Sequence, residues 1–296
     1  MSDLNRILAT TDFSAHARHA AERAALVSKD TTTPLDLLHV ANFAPLERLR
    51  QLMGTTPDDM ERLALDTARE KLHDLAASLQ QHYGVAAGTR VAVGSLLAEL
   101  ANEADRLAAG LLVCGAQGES VVRNFLLGTT ALRLLRTTTC PVLVVKQLPH
   151  ESYRRLLVPV DFSPSSMRAV QHARTIAPKA DIVLLHAFEV PFEEQLQRYD
   201  SVDEGTINHY RSVAKQDATE KLHALRSETG LSPYGTGLVV LHGNPVSRII
   251  EQEQEQDCDL IVIGKHGESI LQELLLGSVT RHVLAESQSD VLVVSM

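Results

Sequence analysis

The chain has 296 residues, with 28 Lys+Arg against 37 Asp+Glu, a formal net charge of −9, 44% apolar residues and 22% charged ones. These are globular proportions; they exclude disordered, collagen-like and membrane classes, and a prior of about 150 residues per domain makes two domains. The acidic balance, 4% aromatic content and absence of Trp argue against a nucleic-acid partner, which needs a basic stripe and stacking rings.

Taken in chain order, RILATTD (6–12) is a short apolar run that stops at an acid, as buried parallel strands do. Ser14 follows as N-cap of a helix over 15–29. LDLLHV (35–40) is a second strand, and an irregular segment (41–60) leads to a long helix over 58–82. A strand ending at Gly94, a helix over 95–108, the strand GLLVCG, a helix from Thr129 and the strand PVLVV complete the series. The same series then recurs. RRLLVPVD (154–161) ends at Asp161, Ser163 caps a helix over 164–178, and Pro164 suits its first position. DIVLLHA, a helix over 206–229, a strand ending at Gly243, a helix over 245–256, DLIVIG, a helix from Ser278 and DVLVV follow.

The recurrence is a register, not a coincidence of composition. TTDFS at 10–14 returns as PVDFS at 159–163, and Gly94, Gly115, Gly118 and Gly128 return as Gly243, Gly264, Gly267 and Gly277, all 149 residues later. LLHV returns as LLHA after 147 residues and EKLH returns after 150, so small length changes sit in the loops. A period this long is a duplicated domain, with residues 1–147 as the first copy, 152–296 as the second and the joint in QLPHES. Strand–helix alternation repeated in each copy predicts an α/β fold: two tandem doubly wound domains, each a five-stranded, mostly parallel sheet flanked by helices. Ligands bind such sheets outside the carboxyl ends of the strands.

The chemistry is expected at GAQG-x9-GT (Gly115 to Thr129) and GKHG-x9-GS (Gly264 to Ser278). The first Gly ends a buried strand and is expected to turn with φ > 0, the second allows close approach, and the third opens a helix beside a small hydroxyl residue. A helix N-terminus offers unpaired N–H groups and a partial positive charge, which suits phosphate. Ser278 and Thr280 add hydroxyl donors, and Lys265 or His266 a charged one. Asp12 and Asp161 end the first strands on the same rim, where a carboxylate accepts from ribose or helps hold a metal ion. Glycine is common at any βα turn, and Ser or Thr there also serves as a plain N-cap. The full pattern, present twice at the same place relative to the strands, points to a nucleotide site.

These residues resemble a known family. DLIVIGKHGESILQELLLGSVTRHVL and LLVCGAQGESVVRNFLLGTT, supported by PVDFSPSS and TTDFSAHA, are similar to the universal stress protein family, twice over and across essentially the whole chain. The resemblance is to its ATP-binding branch. It implies an adenine nucleotide alpha hydrolase-like fold, ATP (with or without Mg²⁺) held across the strand ends, and dimerisation through the last strand. Carried over, the nucleotide-binding positions are Pro159, Val160, Asp161, Ala187, Ile263, Gly264, His266, Gly267, Gly277, Ser278, Val279 and Thr280 in the second copy. In the first they are Thr11, Asp12, Val40, Gly115, Gly118, Gly128, Thr129 and Thr130, with Thr10 and Cys114 alongside. There Ala131 replaces the second hydroxyl residue and Ala116–Gln117 replaces Lys265–His266, so the second copy is expected to be the better site.

The remaining features read more plainly. His39 and His186 close second strands as core or rim histidines, while His73 and His223 lie on the surface of helices. His16 and His19 are one turn apart with no third metal ligand nearby, and EQEQEQD (251–257) is a solvated helix face. Three cysteines without a CxxC give neither a disulfide framework nor a zinc site, and no signal-like or membrane-spanning run is present; a cytoplasmic location is the default expectation. The leading expectation is an adenine-nucleotide-binding stress-response regulator; the alternative is an interaction or scaffold module of the same fold. No P-loop and no general base stand out, so it is expected not to be an enzyme, with slow ATP hydrolysis at most. The apolar edges Val142–Val145 and Val291–Val294 are expected to pair within one chain as a pseudo-dimer, and a further homodimer is expected.

Overall fold

The computed structural model describes residues 4–43, 58–117, 128–190, 204–267 and 276–295. By packing, the chain divides into one unit of residues 1–152, 175–178 and 290–293, and another of residues 153–174, 179–289 and 294–296. No helix among the described residues is long and apolar enough to cross a membrane.

The first unit runs β1 (Ile7–Thr10), α1 (Ala15–Thr31), β2 (Leu35–Ala41), α2 (Asp58–Tyr83), β3 (Ala87–Val93), α3 (Leu96–Arg106), β4 (Leu111–Gly115), α4 (Thr129–Thr137) and β5 (Val142–Val145). Its strand order is β3-β2-β1-β4-β5, all parallel, as the alternating pattern requires. Helices cover the sheet in pairs, α1 against α2 and α3 against α4. The central strands β1 and β4 are buried along almost their whole length, which is why they read as continuous apolar runs. Ser14 caps α1, accepting from the Ala17 N–H at 3.2 Å. Small residues on the inner face, Ala17, Ala20, Ala21, Ala24 and Ala25, are buried and let α1 lie close against the strands.

The unit also takes in residues 290–293 of β10 (Asp290–Val294), which pair antiparallel with β5 in the register Val291↔Val144, Leu292↔Leu143, Val293↔Val142. The apolar β5 edge is thus closed by a strand from the same chain, as its β-branched sequence predicts.

The second unit contains β6 (Arg155–Pro159), α5 (Pro164–Ile176), β7 (Asp181–Phe188), α6 (Glu204–Glu228), β8 (Thr236–His242), α7 (Pro245–Glu255), β9 (Leu260–Gly264) and α8 (Ser278–Glu286). Its strands run β9-β6-β7-β8, with β6 parallel to both β7 and β9 and β7 parallel to β8. Ser163 caps α5 through the Ser166 N–H, and Asn244 caps α7 by accepting from Val246 and Ser247, with Pro245 at the first helical position. The irregular segments at 41–60 and 187–206 fall largely outside the described residues.

One expectation about the glycines is corrected. Gly115 and Gly264 do not have positive φ; Phe13 (φ 66°) and Phe162 (φ 63°), in the turns that follow β1 and β6, are left-handed. The glycines are needed for closeness instead. A Cβ on Gly115 would stand 3.0 Å from the His16 carbonyl carbon and oxygen, and one on Gly264 would stand 2.7 Å from the Ser165 Cβ.

Candidate functional site

At the carboxyl ends of β6, β7 and β9 lies a cavity of about 390 Å³, within the range of small-molecule sites. Every second-copy position carried over from the family resemblance lines it: Pro159, Val160, Asp161, Ala187, Ile263, Gly264, His266, Gly267, Gly277, Ser278, Val279 and Thr280. Four lining residues were missed by sequence reasoning: Ser166, Leu185, Pro245 and Ile249. Leu185 is two residues before Ala187 on the same strand, so strand alternation alone points to it. Pro245 and Ile249 lie one turn apart on α7 and carry no motif.

The wall combines an apolar slot with a polar turn. Val160, Leu185, Ala187, Pro245, Ile249 and Ile263 supply the apolar part; Asp161, His266 and the start of α8 supply the polar part. Asp161 is held by its own turn, with Oδ1 accepting from the Ser163 N–H at 3.0 Å and from the Ser163 hydroxyl. Its Oδ2 faces Gly267, where a Cβ would come within 2.7 Å; this close approach explains the second glycine. At the third glycine the Gly277 N–H donates to the Lys265 carbonyl at 2.9 Å, and the Arg281 N–H to the Gly277 carbonyl at 3.0 Å. That places the N–H groups of Ser278, Val279 and Thr280 in the first turn of α8, where an α-helix supplies no internal acceptor.

One expected donor is corrected, and of the two alternatives for the charged donor His266 is the one at the cavity. The Thr280 hydroxyl is buried and donates to the Gly264 carbonyl at 2.8 Å, so its proton is committed within the fold. Lys265 is buried and does not line the cavity, whereas His266 does. Ser278 remains exposed.

The first unit repeats the backbone of this arrangement without its full chemistry. The Gly128 N–H donates to the Ala116 carbonyl at 2.8 Å, matching Gly277 and Lys265, but Ala131 stands where Thr280 does. Thr129 and Thr130 are exposed, Val40 pairs with Ala92 in the sheet, and Asp12 accepts from the Ser14 N–H at 3.0 Å. Gly118 lies outside the described residues. Thr11 lines a different cavity of about 420 Å³, beside Phe13, Arg18 and Lys71.

The other motifs common to both copies, DFS, LLH and EKLH, meet in one stack. His39 lies on Phe13 with ring centroids 4.4 Å apart, its Nδ1 2.8 Å from the Thr11 carbonyl, and the Lys71 ammonium is 5.6 Å from the Phe13 centroid. His186, Phe162, Val160 and Lys221 reproduce it at 4.7, 2.7 and 5.7 Å. The two histidines are rim residues that brace the left-handed Phe. EQEQEQD is only partly a solvated face: Gln252 and Glu253 are buried, and Glu253 Oε1 accepts from the Gln288 and Ser289 N–H groups at 2.8 and 2.6 Å.

Burial pushes the thiols of Cys114, Cys140 and Cys258 up to about 12. The thiolate, which is the reactive form, is thereby disfavoured at pH 7. In the folded protein all three are expected to resist iodoacetamide at pH 7, with labelling appearing only in denaturant. Fast stoichiometric labelling of Cys114 under native conditions would contradict this.

Comparison with known proteins agrees with the geometry. The sequence profile described as "Universal stress protein family" matches residues 4–146 and again 152–295. A universal stress protein of Mycolicibacterium smegmatis is 26% identical over 301 residues, covering 97% of this chain and 96% of that protein. One from Methanocaldococcus jannaschii is 28% identical over 157 residues, covering 48% of this chain and 94% of that protein. The crystal structure of a universal stress protein from Archaeoglobus fulgidus has the same fold, with a TM-score of 0.72 over 99% of both chains at 19% identity. The chain therefore belongs to the universal stress protein family and carries that family's domain in tandem.

Proposed function

We propose that the second unit binds an adenine nucleotide, ATP foremost, and that the chain is a stress-response regulatory protein whose state depends on that occupancy. The observation that carries this reading is the pairing, in one cavity, of an apolar slot with an open helix N-terminus. Val160, Leu185, Ala187 and Ile249 suit a flat base, Asp161 suits ribose hydroxyls, and the N–H groups of residues 278–280 suit phosphate oxygens. The described wall holds one carboxylate and one imidazole and neither Lys nor Arg. Phosphate would then be met by backbone dipoles and His266; were Mg²⁺ to accompany the nucleotide, it would neutralise phosphate charge, and Asp161 is the carboxylate of the described wall that could hold it. In this proposal the second unit is the better site and the first the weaker, because Ala131 stands where Thr280 ties the turn to Gly264 and Gln117 stands where His266 lines the cavity. We assign no catalytic residue. The domains are proposed as residues 1–147 and 152–296, in a cytoplasmic protein that forms homodimers and takes no nucleic acid.

The test is thermal unfolding with ATP, ADP or AMP and Mg²⁺. At 100 times its dissociation constant a ligand adds about 2.7 kcal/mol, worth about 5–10 °C for a domain of this size. No shift with any of the three at millimolar concentration would favour the scaffold reading instead.

A further inference from the structure

Resting on that nucleotide reading, we infer that Thr280 is a positioning residue: its hydroxyl sets the orientation of the anion-binding turn of α8 by tying it to the end of β9, and it does not itself donate to phosphate. A threonine hydroxyl has one proton, and here that proton goes to the Gly264 carbonyl, 2.8 Å away at a buried position. Gly264 is a fixed anchor. It ends a strand whose residues are all buried, and its Cα approaches α5 so closely that a Cβ would meet Ser165 at 2.7 Å. The Gly277 N–H to the Lys265 carbonyl, at 2.9 Å, is the second tie between the same two elements. One hydrogen bond fixes a point on the turn and leaves a pivot; two that originate three residues apart fix its direction.

Direction matters because hydrogen bonds weaken steeply as the donor angle falls toward 120°. The N–H groups of residues 278–280 are useful to a phosphate only when they converge on one place. The first unit shows the same turn with one tie: the Gly128 N–H reaches the Ala116 carbonyl at 2.8 Å, and Ala131 has no hydroxyl to supply the other. The difference between the two copies is thus one of aim at the phosphate turn, beyond any difference in the number of donors.

Calorimetric titration of the full chain with ATP and with adenosine tests this, using Thr280→Val (same shape, no hydroxyl) and Thr280→Ser (hydroxyl restored). Thr280→Val is expected to weaken ATP at least tenfold while changing adenosine less than twofold, and Thr280→Ser is expected to restore ATP affinity to within about threefold. Amide hydrogen exchange without ligand is expected to show faster exchange at Gly277 and Arg281 in Thr280→Val. Unchanged ATP affinity in Thr280→Val, equal losses for ATP and adenosine, or a Thr280→Ser variant as weak as Thr280→Val would each overturn the positioning role. Wild-type protein that takes neither ligand would overturn the nucleotide reading itself; slowed or unchanged exchange would overturn the tie alone.

Discussion

Replacing Asp290 with alanine is expected to destabilise the chain by about 3–5 kcal/mol, the loss typical when one partner of a buried ion pair is removed. Its side chain is fully buried and that of Arg23 only 5% exposed, and the Asp290 Oδ2 accepts from Arg23 Nε at 3.1 Å. Oδ1 accepts from the N–H groups of Lys146 and Gln147 at 2.8 and 3.1 Å, while Arg23 Nη1 donates to the Glu151 carbonyl at 2.8 Å. Alanine would take the carboxylate away from a buried guanidinium and the Oδ1 acceptor away from two backbone N–H groups, each with a desolvation cost. Asp290→Asn keeps an acceptor for the two N–H groups and should lose less. The double change Arg23→Met with Asp290→Leu removes both charges and should recover much of the loss. Urea unfolding of the four proteins measures this; a single-mutant loss under 1 kcal/mol would mean that Arg23 finds water or another acceptor.

The second large effect is expected at Gly264. A Cβ there would stand 2.7 Å from the Ser165 Cβ and 3.0 Å from the Ser165 carbonyl carbon. Neither is the flexible end of a side chain, so β9 or α5 must move. Overpacking of this kind costs about 1–3 kcal/mol, and here Gly264 also supplies the carbonyl that accepts from Thr280. Gly264→Ala is therefore expected to lower stability by that amount and to weaken ATP more than tenfold. Gly237→Ala is the control: its Cβ would find nothing closer than 3.8 Å, and φ there is not positive. Equal behaviour of the two variants in thermal melts would show that the close approach is not limiting.

Much of the molecule follows from short stretches of chain. Strand–helix alternation, the caps at Ser14 and Ser163 and Pro164 at the start of α5 are decided within a turn or two. The glycine register located the βα turns and, through them, a set of residues that the structure gathers around one cavity. The internal repeat shows the strand–helix alternation twice, and on that ground predicts a mostly parallel sheet in each copy.

What escaped the sequence is what depends on which elements become neighbours. Pro245 and Ile249 join the cavity only because α7 lies over the strand ends. Glu253 looked like one more solvated carboxylate until the turn at Gln288–Ser289 was brought against it, 36 residues away along the chain at its farther partner. The threonine hydroxyl that looked like a ligand donor is consumed by a carbonyl 16 residues earlier, and Arg23 finds its counter-ion 267 residues later. In a single chain of 296 residues with a net charge of −9, the sequence alone determined two α/β repeats and the strand-end turns where the proposed site lies, because period, capping and glycine placement act locally. Which hydroxyls, carboxylates and cations are spent inside the fold was decided by tertiary packing alone, because a buried polar group must take whatever partner the neighbouring element presents.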